Sequence, residues 1–379
     1  MDLLFVTFWS FDDAESNGIT KKIRAQIDSF RKAGFRVDHT CCQCGRFLLY
    51  RGGKAIDLCA TRRLTTRIAA AHALRKYLSR KGIRYDRVYL RYPQGDPALA
   101  ALLKVLHRNS RVIVEIPTFP YDEEFRGSLP LRCSLLLDRL SRKSIARHTD
   151  RFLTFSEHET IYGVPTIRTD NGIDADACPL REPLPPDGRT HVIAVAGFSP
   201  WHGYDRLLTG LAAYKKAGGE RRFFLDFAGD GPSLAGYREQ AERLGLSEDV
   251  SFHGPLYGDA LNALFDRADV AAASLGIHRI GLRLSSSLKY NEYLVRGLPA
   301  ITTGRRSDLP SLAPYRLRVP LSDEPVDFHM IEAFLDSVYG DGRSRAAVAK
   351  AIREAALPLC PMEKVMQPAV SFFQTEDAL

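Results

Sequence analysis

The feature that most constrains the fold is an alternation of short apolar runs with amphipathic segments, which occurs in both halves of the chain. In the first half, the apolar runs 3–8, 87–92 and 111–116 are predicted strands with amphipathic helices between them. This periodicity stops in a stretch rich in Pro and Gly at 181–189, and the run 191–197 starts it again. Strands joined through helices pair in parallel, so the sequence predicts an α/β protein with two doubly wound, Rossmann-like domains.

The length of the chain leads to the same division. A chain of 379 residues exceeds the size of one compact core. We predict an N-terminal domain over 1–178, a second domain over 179–355, and a C-terminal helix over 356–379 that can cross back to the first domain. Open parallel sheets bind ligands at the carboxyl ends of their strands, so a cleft between the two domains is the predicted binding site.

The sequence predicts neither a targeting segment nor a metal site. No run of eighteen apolar residues occurs and the N-terminus lacks a basic region, so neither a membrane span nor a signal peptide is predicted. The cysteines are odd in number and scattered, which favours reduced thiols in the cytoplasm. They stand at positions 41, 42, 44, 59, 133, 178 and 360. Their spacing lacks the paired C-x-x-C pattern of zinc sites, so no metal is predicted.

Charge is divided unevenly along the chain. Residues 1–178 hold 30 Lys and Arg against 20 Asp and Glu, a net charge of +10, whereas the remainder carries −2 of the total +8. A basic half suggests a polyanionic partner, and the inner leaflet of a membrane or a phosphate-linked lipid fits this better than nucleic acid, for which no motif occurs. The alternative is that these charges belong to solvated helix faces without a partner.

One stretch, 285–304, combines features of an anion site. It reads SSSLKYNEYLVRGLPAITTG and predicts a serine-capped helix that ends at Gly297, followed by a buried strand. The amide groups and the dipole at a helix start attract anions, and Lys289 adds a positive charge in that first turn. Glu292 follows three residues later on nearly the same face. The alternative is an ordinary capped helix with a solvated pair of Lys289 and Glu292.

The same stretch carries a wider resemblance. It contains K-x-x-E-Y-x-x-x-G-x-P at 289–299, preceded in order by AsnGlyIleAsp at 171–174, WHGYDRLL at 201–208, FAGDGP at 227–232 and VSFHGPL at 250–256. This succession resembles the donor domain of the retaining nucleotide-sugar glycosyltransferases of the GT-B fold, in the family of glycosyltransferases group 1. The resemblance implies two Rossmann-like domains that face each other across a cleft, the first binding the acceptor and the second the donor nucleotide.

The resemblance also implies roles for single residues of the donor site. Glu292 would bind the ribose, the amides of Ser287, Leu288 and Lys289 would bind the diphosphate, and Gly254 to Leu256 would edge the nucleobase. Further backbone close to the donor phosphates would come from glycines of two loops, Gly18 in one and Gly229 and Gly231 in the other. No metal would be needed, because dipoles and basic side chains can neutralise the leaving diphosphate.

Three positions depart from the family pattern. The sugar-contacting glutamate is replaced by Leu284, and the basic residues of the strand loop are replaced by Phe198 and His202. We predict a substitute clamp on the diphosphate, formed by His202, Arg206, Arg283 and Lys289, with His202 and Lys289 as catalytic candidates. A structural hydrogen bond after Trp201 is the alternative for His202.

Acceptor contacts are predicted in the first domain. Asn17 lies in its first strand-to-helix loop, Glu115 lies near the end of the predicted strand 111–116, and Tyr121 and Asp122 follow that strand. These groups could bind acceptor hydroxyls, and Glu115 could act as a base. Capping and turn formation explain the acidic residues equally well.

The predicted function is transfer of a hexosyl group from a nucleotide-diphosphate sugar to an acceptor hydroxyl, with retention. The donor is a nucleotide sugar, with a UDP-sugar favoured over a GDP-sugar. The acceptor is a glycan or a lipid-linked glycan of the cell surface, so that the protein would be cytoplasmic with peripheral contact to the anionic inner face of the membrane. Alternatives are a non-catalytic nucleotide- or sugar-binding protein, and a nucleotide-sugar epimerase or phosphorylase on the same fold.

Overall fold

A computed structural model describes residues 1–12, 18–61, 66–125, 128–283, 287–304, 310–340 and 342–375. The chain forms two compact units, one comprising Met1–Asp170 with Met362–Leu379 and the other Asn171–Pro361. The predicted assignment of acceptor and donor to these units stays a prediction.

The first unit is built on a mixed sheet with a parallel centre. Its strands are β1 (Asp2–Val6), β2 (Arg36–Gln43), β3 (Arg46–Arg51), β4 (Lys54–Ala60), β5 (Arg87–Arg91), β6 (Arg111–Ile116), β7 (Arg151–Thr154), β8 (Thr160–Ile161) and β9 (Val164–Arg168). Their order is β4-β3-β2-β1-β5-β6-β7-β9-β8, with parallel pairs from β2 to β9 and antiparallel pairs at both edges. The helices that connect them are α1 (Gly18–Lys32), α2 (Thr66–Lys81), α3 (Pro97–Leu106) and α4 (Leu129–Ala146).

The central strands of this sheet are buried on both faces. Leu4 of β1 and Val88 of β5 belong to a core on one face, whereas Leu3 and Tyr89 belong to a core on the other. This alternation is the two-residue period of a strand, and helices cover both faces, as a parallel sheet requires. The start of α3 shows how the local sequence sets a helix boundary, because the Asp96 carboxylate accepts from the amides of the first turn.

The second unit is built on a parallel sheet. Its strands are β10 (Thr190–Val195), β11 (Phe223–Ala228), β12 (Val250–Gly254), β13 (Val270–Ala272), β14 (Ala300–Thr302) and β15 (Arg316–Arg318). Its helices are α5 (Asp205–Lys216), α6 (Leu234–Arg243), α7 (Gly258–Arg267), α8 (Leu288–Val295), α9 (Phe328–Tyr339) and α10 (Arg345–Ala356). The strand order is β12-β11-β10-β13-β14-β15, with all neighbours parallel.

The last helix, α11 (Met362–Gln374), packs on the first unit. Its apolar face joins the core beneath α1, and the Thr169 hydroxyl donates to the carbonyl of Val365. The guanidinium groups of Arg87 and Arg111 donate to carbonyls at the end of the helix, which satisfies groups that a helix end leaves unpaired. Among the helices that the structure describes, none has the length and hydrophobicity needed to cross a membrane.

Candidate functional site

The candidate site of the second unit lies at the carboxyl edge of its sheet. From β10 the chain adds strands on one side, β11 and then β12, and afterwards returns to add β13 on the other side of β10. Loops that leave β10 and β13 therefore diverge and open a crevice between them, which is where open α/β sheets bind ligands. The predicted donor residues lie in these loops and in α8.

Gly229 and Gly231 are both required by packing. Each has a positive φ, of 131° and 147°, and a side chain at Gly229 would overlap the carbonyl oxygen of Ala196. A side chain at Gly231 would lie 2.5 Å from the backbone of Phe198, whose amide donates to the carbonyl of Asp230 at 2.7 Å. The two glycines let the loop after β11 lie directly on the loop after β10.

His202 is held in a short turn after β10. Its Nδ1 accepts from the amide of Ser199 at 3.0 Å, and its carbonyl accepts from the amide of Leu275 at 2.8 Å. Burial and the positive charge of Lys289 lower the pKa of His202 to about 2, so the imidazole is neutral. Because Nδ1 accepts, the proton lies on Nε2. The structural hydrogen bond considered as the alternative for His202 is therefore formed, and Nε2 is left as a neutral donor.

Helix α8 is held in place by side-chain hydrogen bonds, one of them to the last residue of β10. The Tyr293 hydroxyl accepts from the amide of Val195 at 3.0 Å, and the Asn291 side chain donates to the carbonyl of Asn171. Ser287 precedes the helix in an extended conformation, and its side chain makes no capping hydrogen bond within the described part of the chain. Leu284, Ser285 and Ser286 lie outside the described residues. The first-turn amides of α8 are thus oriented by the rest of the helix.

Lys289 and Glu292 do not form the solvated pair considered as an alternative. Oε1 of Glu292 accepts from Nε of Arg296 at 2.9 Å, and a third of its side chain is exposed. Lys289 is half-buried and forms no ion pair with any described residue. Burial lowers the pKa of Lys289 to about 7. An amine without a carboxylate partner beside a helix start is suited to an anionic ligand.

Arg206 is occupied by the fold. Its guanidinium donates to the carbonyls of Leu275, Pro320 and Glu324, and the residue is 1% exposed. These contacts join three loops at the edge of the sheet and leave the group unsuited to a diphosphate. We therefore omit Arg206 from the proposed clamp. Arg283 is exposed at the end of the described segment 128–283.

Gly254 and Leu256 lie at the end of β12. Gly254 has a φ of 70°, and its carbonyl accepts from the amide of Gly229 at 2.7 Å. Leu256 is half-buried against the core on the α8 side of the sheet. This geometry brings the predicted nucleobase edge next to the loop after β11.

Glu115 of the first unit is fully buried and paired. Its carboxylate accepts from Lys22 at 2.9 Å, Arg91 at 2.8 Å and Gln26 at 2.8 Å, and also from the Tyr89 hydroxyl at 2.7 Å. Burial alone would raise its pKa, but the charges of Lys22 and Arg91 outweigh that effect and lower the pKa to about 2. A carboxylate in this state is a poor base and cannot reach an acceptor, so we omit Glu115 from the proposed site.

Tyr121 and Asp122 are likewise used within the first unit. The Tyr121 hydroxyl donates to Asp138 at 2.9 Å, and Asp122 pairs with Arg139 at 2.7 Å and with Arg142. These contacts favour structural roles, and neither residue is retained as an acceptor contact. Asn17 lies outside the described residues.

Gly18 is the first residue of α1. A side chain there would meet no described atom within 4 Å, so packing does not require glycine at this position. Its predicted approach to the donor phosphates stays a prediction.

Sequence comparison identifies the second unit. The model of the family described as glycosyl transferases group 1 matches residues 180–306, which include β10, the loops at the crevice and α8. Residues 180–306 therefore form a domain of the glycosyl transferases group 1 family. No protein with a curated description matches the chain.

Solved structures similar to this chain share its fold. Sucrose-phosphate synthase from Thermosynechococcus elongatus aligns with a TM-score of 0.66 and 14% identity over 98% of both chains. WaaG, a glycosyltransferase involved in lipopolysaccharide biosynthesis, aligns with a TM-score of 0.63 and 14% identity over 99% of this chain and 100% of its own. HepE from Anabaena, in complex with UDP-glucose, aligns with a TM-score of 0.61 and 13% identity over 99% of this chain and 100% of its own. The predicted α/β fold with two Rossmann-like units, matching GT-B structures, is confirmed.

One polar residue of the first unit, Gln94, is a candidate ligand contact that was not predicted from the sequence. Gln94 follows β5 with a φ of 86°, although it is not a glycine, and it is 8% exposed. Its Oε1 accepts from Ser134 at 2.7 Å and from Arg67 at 3.3 Å, whereas its Nε2 has no hydrogen-bond partner among the described residues. A left-handed backbone with an unpaired buried donor at a carboxyl edge is typical of a ligand contact. The sequence around Gln94 carries no signal of this role, because glutamine has no preferred place in turns.

Proposed function

We propose that this chain is a group 1 glycosyltransferase that transfers a hexosyl group from a nucleotide-diphosphate sugar to an acceptor hydroxyl, with retention at the anomeric carbon. The observation that carries the proposal is the unpaired, half-buried amine of Lys289 in the first turn of α8, beside the neutral imidazole of His202. An anionic ligand would supply the missing negative charge. The diphosphate of a nucleotide sugar has that charge and fits the oriented amides of a helix start.

The donor contacts follow from this arrangement. The amides of Ser287, Leu288 and Lys289 would bind the diphosphate, and Lys289 would take up a proton as the ligand binds. His202 would donate from Nε2 without adding charge. Glu292, oriented by its bond to Arg296, would accept from the ribose hydroxyls. Further contacts with the donor are proposed for Gly18, Gly229, Gly231, Gly254, Leu256 and Arg283.

The transfer step needs stabilisation of the leaving diphosphate. The bond between the anomeric carbon and the diphosphate oxygen breaks, and the acceptor oxygen forms the new bond to that carbon. The acceptor proton must then leave, and with Glu115 fully paired the departing diphosphate oxygen is the base that the reaction itself supplies. The charge of Lys289 and the dipole of α8 would stabilise the negative charge that develops on this leaving group.

The identity of the donor and the acceptor is supported by weaker observations. HepE binds UDP-glucose in its solved structure, which favours a UDP-sugar over a GDP-sugar here. WaaG is involved in lipopolysaccharide biosynthesis, and the first half of this chain carries a net charge of +10. We therefore propose a cell-surface glycan or lipid-linked acceptor at the anionic inner face of the membrane, bound by the first unit in part through Gln94.

Release of nucleoside diphosphate from a panel of nucleotide sugars, with and without acceptor, tests the proposal. Release that requires an acceptor is expected, and it separates transfer from epimerisation and from non-catalytic binding. Lys289→Ala and Glu292→Ala should reduce this release, whereas Lys350→Ala, at an exposed position of α10, should leave it unchanged. Full turnover in both site variants would show that the donor binds elsewhere.

A further inference from the structure

Helix α4 exposes an apolar face. Leu129 and Leu140 are each 73% exposed and Leu136 is 58% exposed. Their spacings of seven and four residues put them on one side of the helix. Leu131 and Leu137 are also exposed nearby, so five of the thirteen large exposed hydrophobic residues among those described lie on this one helix. Exposed leucines that are scattered need no explanation, but a contiguous group indicates a binding surface.

The opposite side of α4 is held by polar contacts. Asp138 is fully buried and accepts from the Tyr92 hydroxyl at 2.6 Å, the Gly95 amide at 2.6 Å and the Arg142 guanidinium at 2.7 Å. Breaking a buried network of this kind leaves unpaired charges, so rotation of the helix about its axis is costly. The leucines therefore cannot turn inward.

A second set of contacts holds the C-terminal half of the helix. Arg139 and Arg142 both pair with Asp122, which lies in the short turn before α4. The guanidinium of Arg142 also lies 5.0 Å from the ring centres of Tyr121 and Tyr162. The outward face is thus a rigid part of the unit.

The exposed charged residues on this side of α4 are all basic. Lys143 and Arg147 continue the row of leucines at the end of the helix, and both are exposed, as is Arg132 on its flank. Asp138, the one acidic residue in the sequence of α4, is buried on the other side. An apolar row continued by cations matches the interface of a bilayer with anionic head groups, where leucines enter the acyl region and cations remain among phosphates.

We propose that the α4 membrane face, defined as Leu129, Leu136, Leu140, Lys143 and Arg147, docks on an anionic lipid surface with the helix axis in the plane of the membrane. This inference rests on the proposed function, because it gives the lipid-linked acceptor a route to the protein. Since α4 follows β6, the helix begins on the side of the sheet where the strands end. Its docking brings that edge of the first unit to the lipid surface.

Flotation of the full chain with lipid vesicles tests this surface. Binding is expected to vesicles of phosphatidylcholine and phosphatidylglycerol in equal amounts, and not to phosphatidylcholine alone. The double variant Leu136→Gln/Leu140→Gln should lower vesicle affinity by about tenfold or more, because it removes most of the inserted apolar area. Lys143→Gln and Arg147→Gln should each lower it by about fivefold and weaken its salt dependence.

Matched variants lie on the second unit. Leu184→Gln/Leu357→Gln alters two other exposed leucines, and Lys216→Gln/Arg243→Gln removes two other exposed charges. Neither pair should change vesicle binding. All of these positions are exposed, so melting temperatures close to that of the unaltered chain are expected throughout.

Two outcomes would overturn the inference. Vesicle binding that survives the loss of both leucines would place the contact elsewhere. A chain that self-associates through these leucines, with unchanged vesicle binding in the variants, would make the face an interface between copies. Nucleoside diphosphate release with a water-soluble acceptor separates this test from the proposed function: it should be unchanged in the α4 variants and lost in Lys289→Ala, which should still bind vesicles.

Discussion

The two units place ionisable side chains at the carboxyl edge of a parallel sheet, but they use them in opposite ways. Glu115 of the first unit meets Lys22 and Arg91 and is completely buried. Lys289 of the second unit is partly enclosed and meets no acidic partner among the described residues. A buried charge with its partners stabilises the fold, whereas one without a partner is tolerated where a ligand completes it. Charge alone therefore does not identify a site, and the state of pairing does.

Among the substitutions that distinguish the two sheet edges, Glu115→Gln is expected to have the largest effect. The change leaves Lys22 and Arg91 buried without their carboxylate, which should lower the free energy of unfolding by about 3 kcal/mol. Urea denaturation measures this loss. Glu354→Gln, at an exposed position of α10, should change stability by less than about 0.5 kcal/mol.

The dependence of stability on acidic pH tests the role of Glu115 more closely. The pKa of Glu115 is lowered from 4.5 to about 2, so its stabilising contribution is complete above pH 4.5 and is lost as the pH falls towards 2. The unaltered chain should therefore lose more stability over this interval than Glu115→Gln. A variant that keeps its stability but has no turnover would instead make Glu115 a base.

Lys289→Ala should show the opposite pattern. The amine would form a charge-assisted contact with the diphosphate, worth about 3 kcal/mol, so donor-dependent turnover should fall by about a hundredfold. The free energy of unfolding should not decrease, because the amine has no partner to lose. Kinetic assays beside urea denaturation measure the two effects, with Lys350→Ala as the matched control. A loss of stability would show that Lys289 is a structural charge like Glu115.

The pH dependence of donor affinity tests the same amine more finely. The pKa of Lys289 is lowered to about 7, so the amine is charged below that pH and must take up a proton on binding above it. Affinity for a nucleoside diphosphate should therefore fall by up to about tenfold per pH unit above 7. Titration calorimetry in buffers with different ionisation enthalpies measures the proton uptake. Lys289→Arg stays charged and should not show this fall; the same fall in that variant would exclude Lys289 as its source.

The difference between the two sheet edges also explains which roles of site residues could be predicted from the sequence and which could not. The motif around Glu292 is local, and its helix, its glycine stop and its strand follow from neighbouring residues. The partners of Glu115 lie far away in the sequence, with Lys22 at a separation of 93 residues, so its pairing could not be foreseen. Arg206 was predicted as a diphosphate ligand for the same reason, since the carbonyls that occupy it belong to distant loops.

Secondary structure shows the same limit. The central strands and most helices followed from apolar periodicity, because each is a local pattern. The hairpin of β3 and β4 was missed, since its strands lie at the edge of the sheet and mix polar with apolar residues. The turn between them, Gly52 and Gly53, has φ values of 55° and 79°, as a two-residue hairpin turn requires.

The smallest effect is expected for Gln94 of the first unit. Its side-chain nitrogen has no partner among the described residues, as is the case for the amine of Lys289 in the second unit. Gln94→Asn keeps a residue that tolerates its left-handed backbone but shortens the side chain, so a hydrogen bond to the acceptor worth about 1 kcal/mol would be lost. The KM for the acceptor should rise by about fivefold, and the KM for the donor should stay constant. Gln367→Asn, at an exposed position of α11, is the matched control. If unfolding free energy falls while the acceptor KM is unchanged, Gln94 belongs with Glu115 among the groups that only hold the fold, because its amide would then serve the contacts to Ser134 and Arg67 alone.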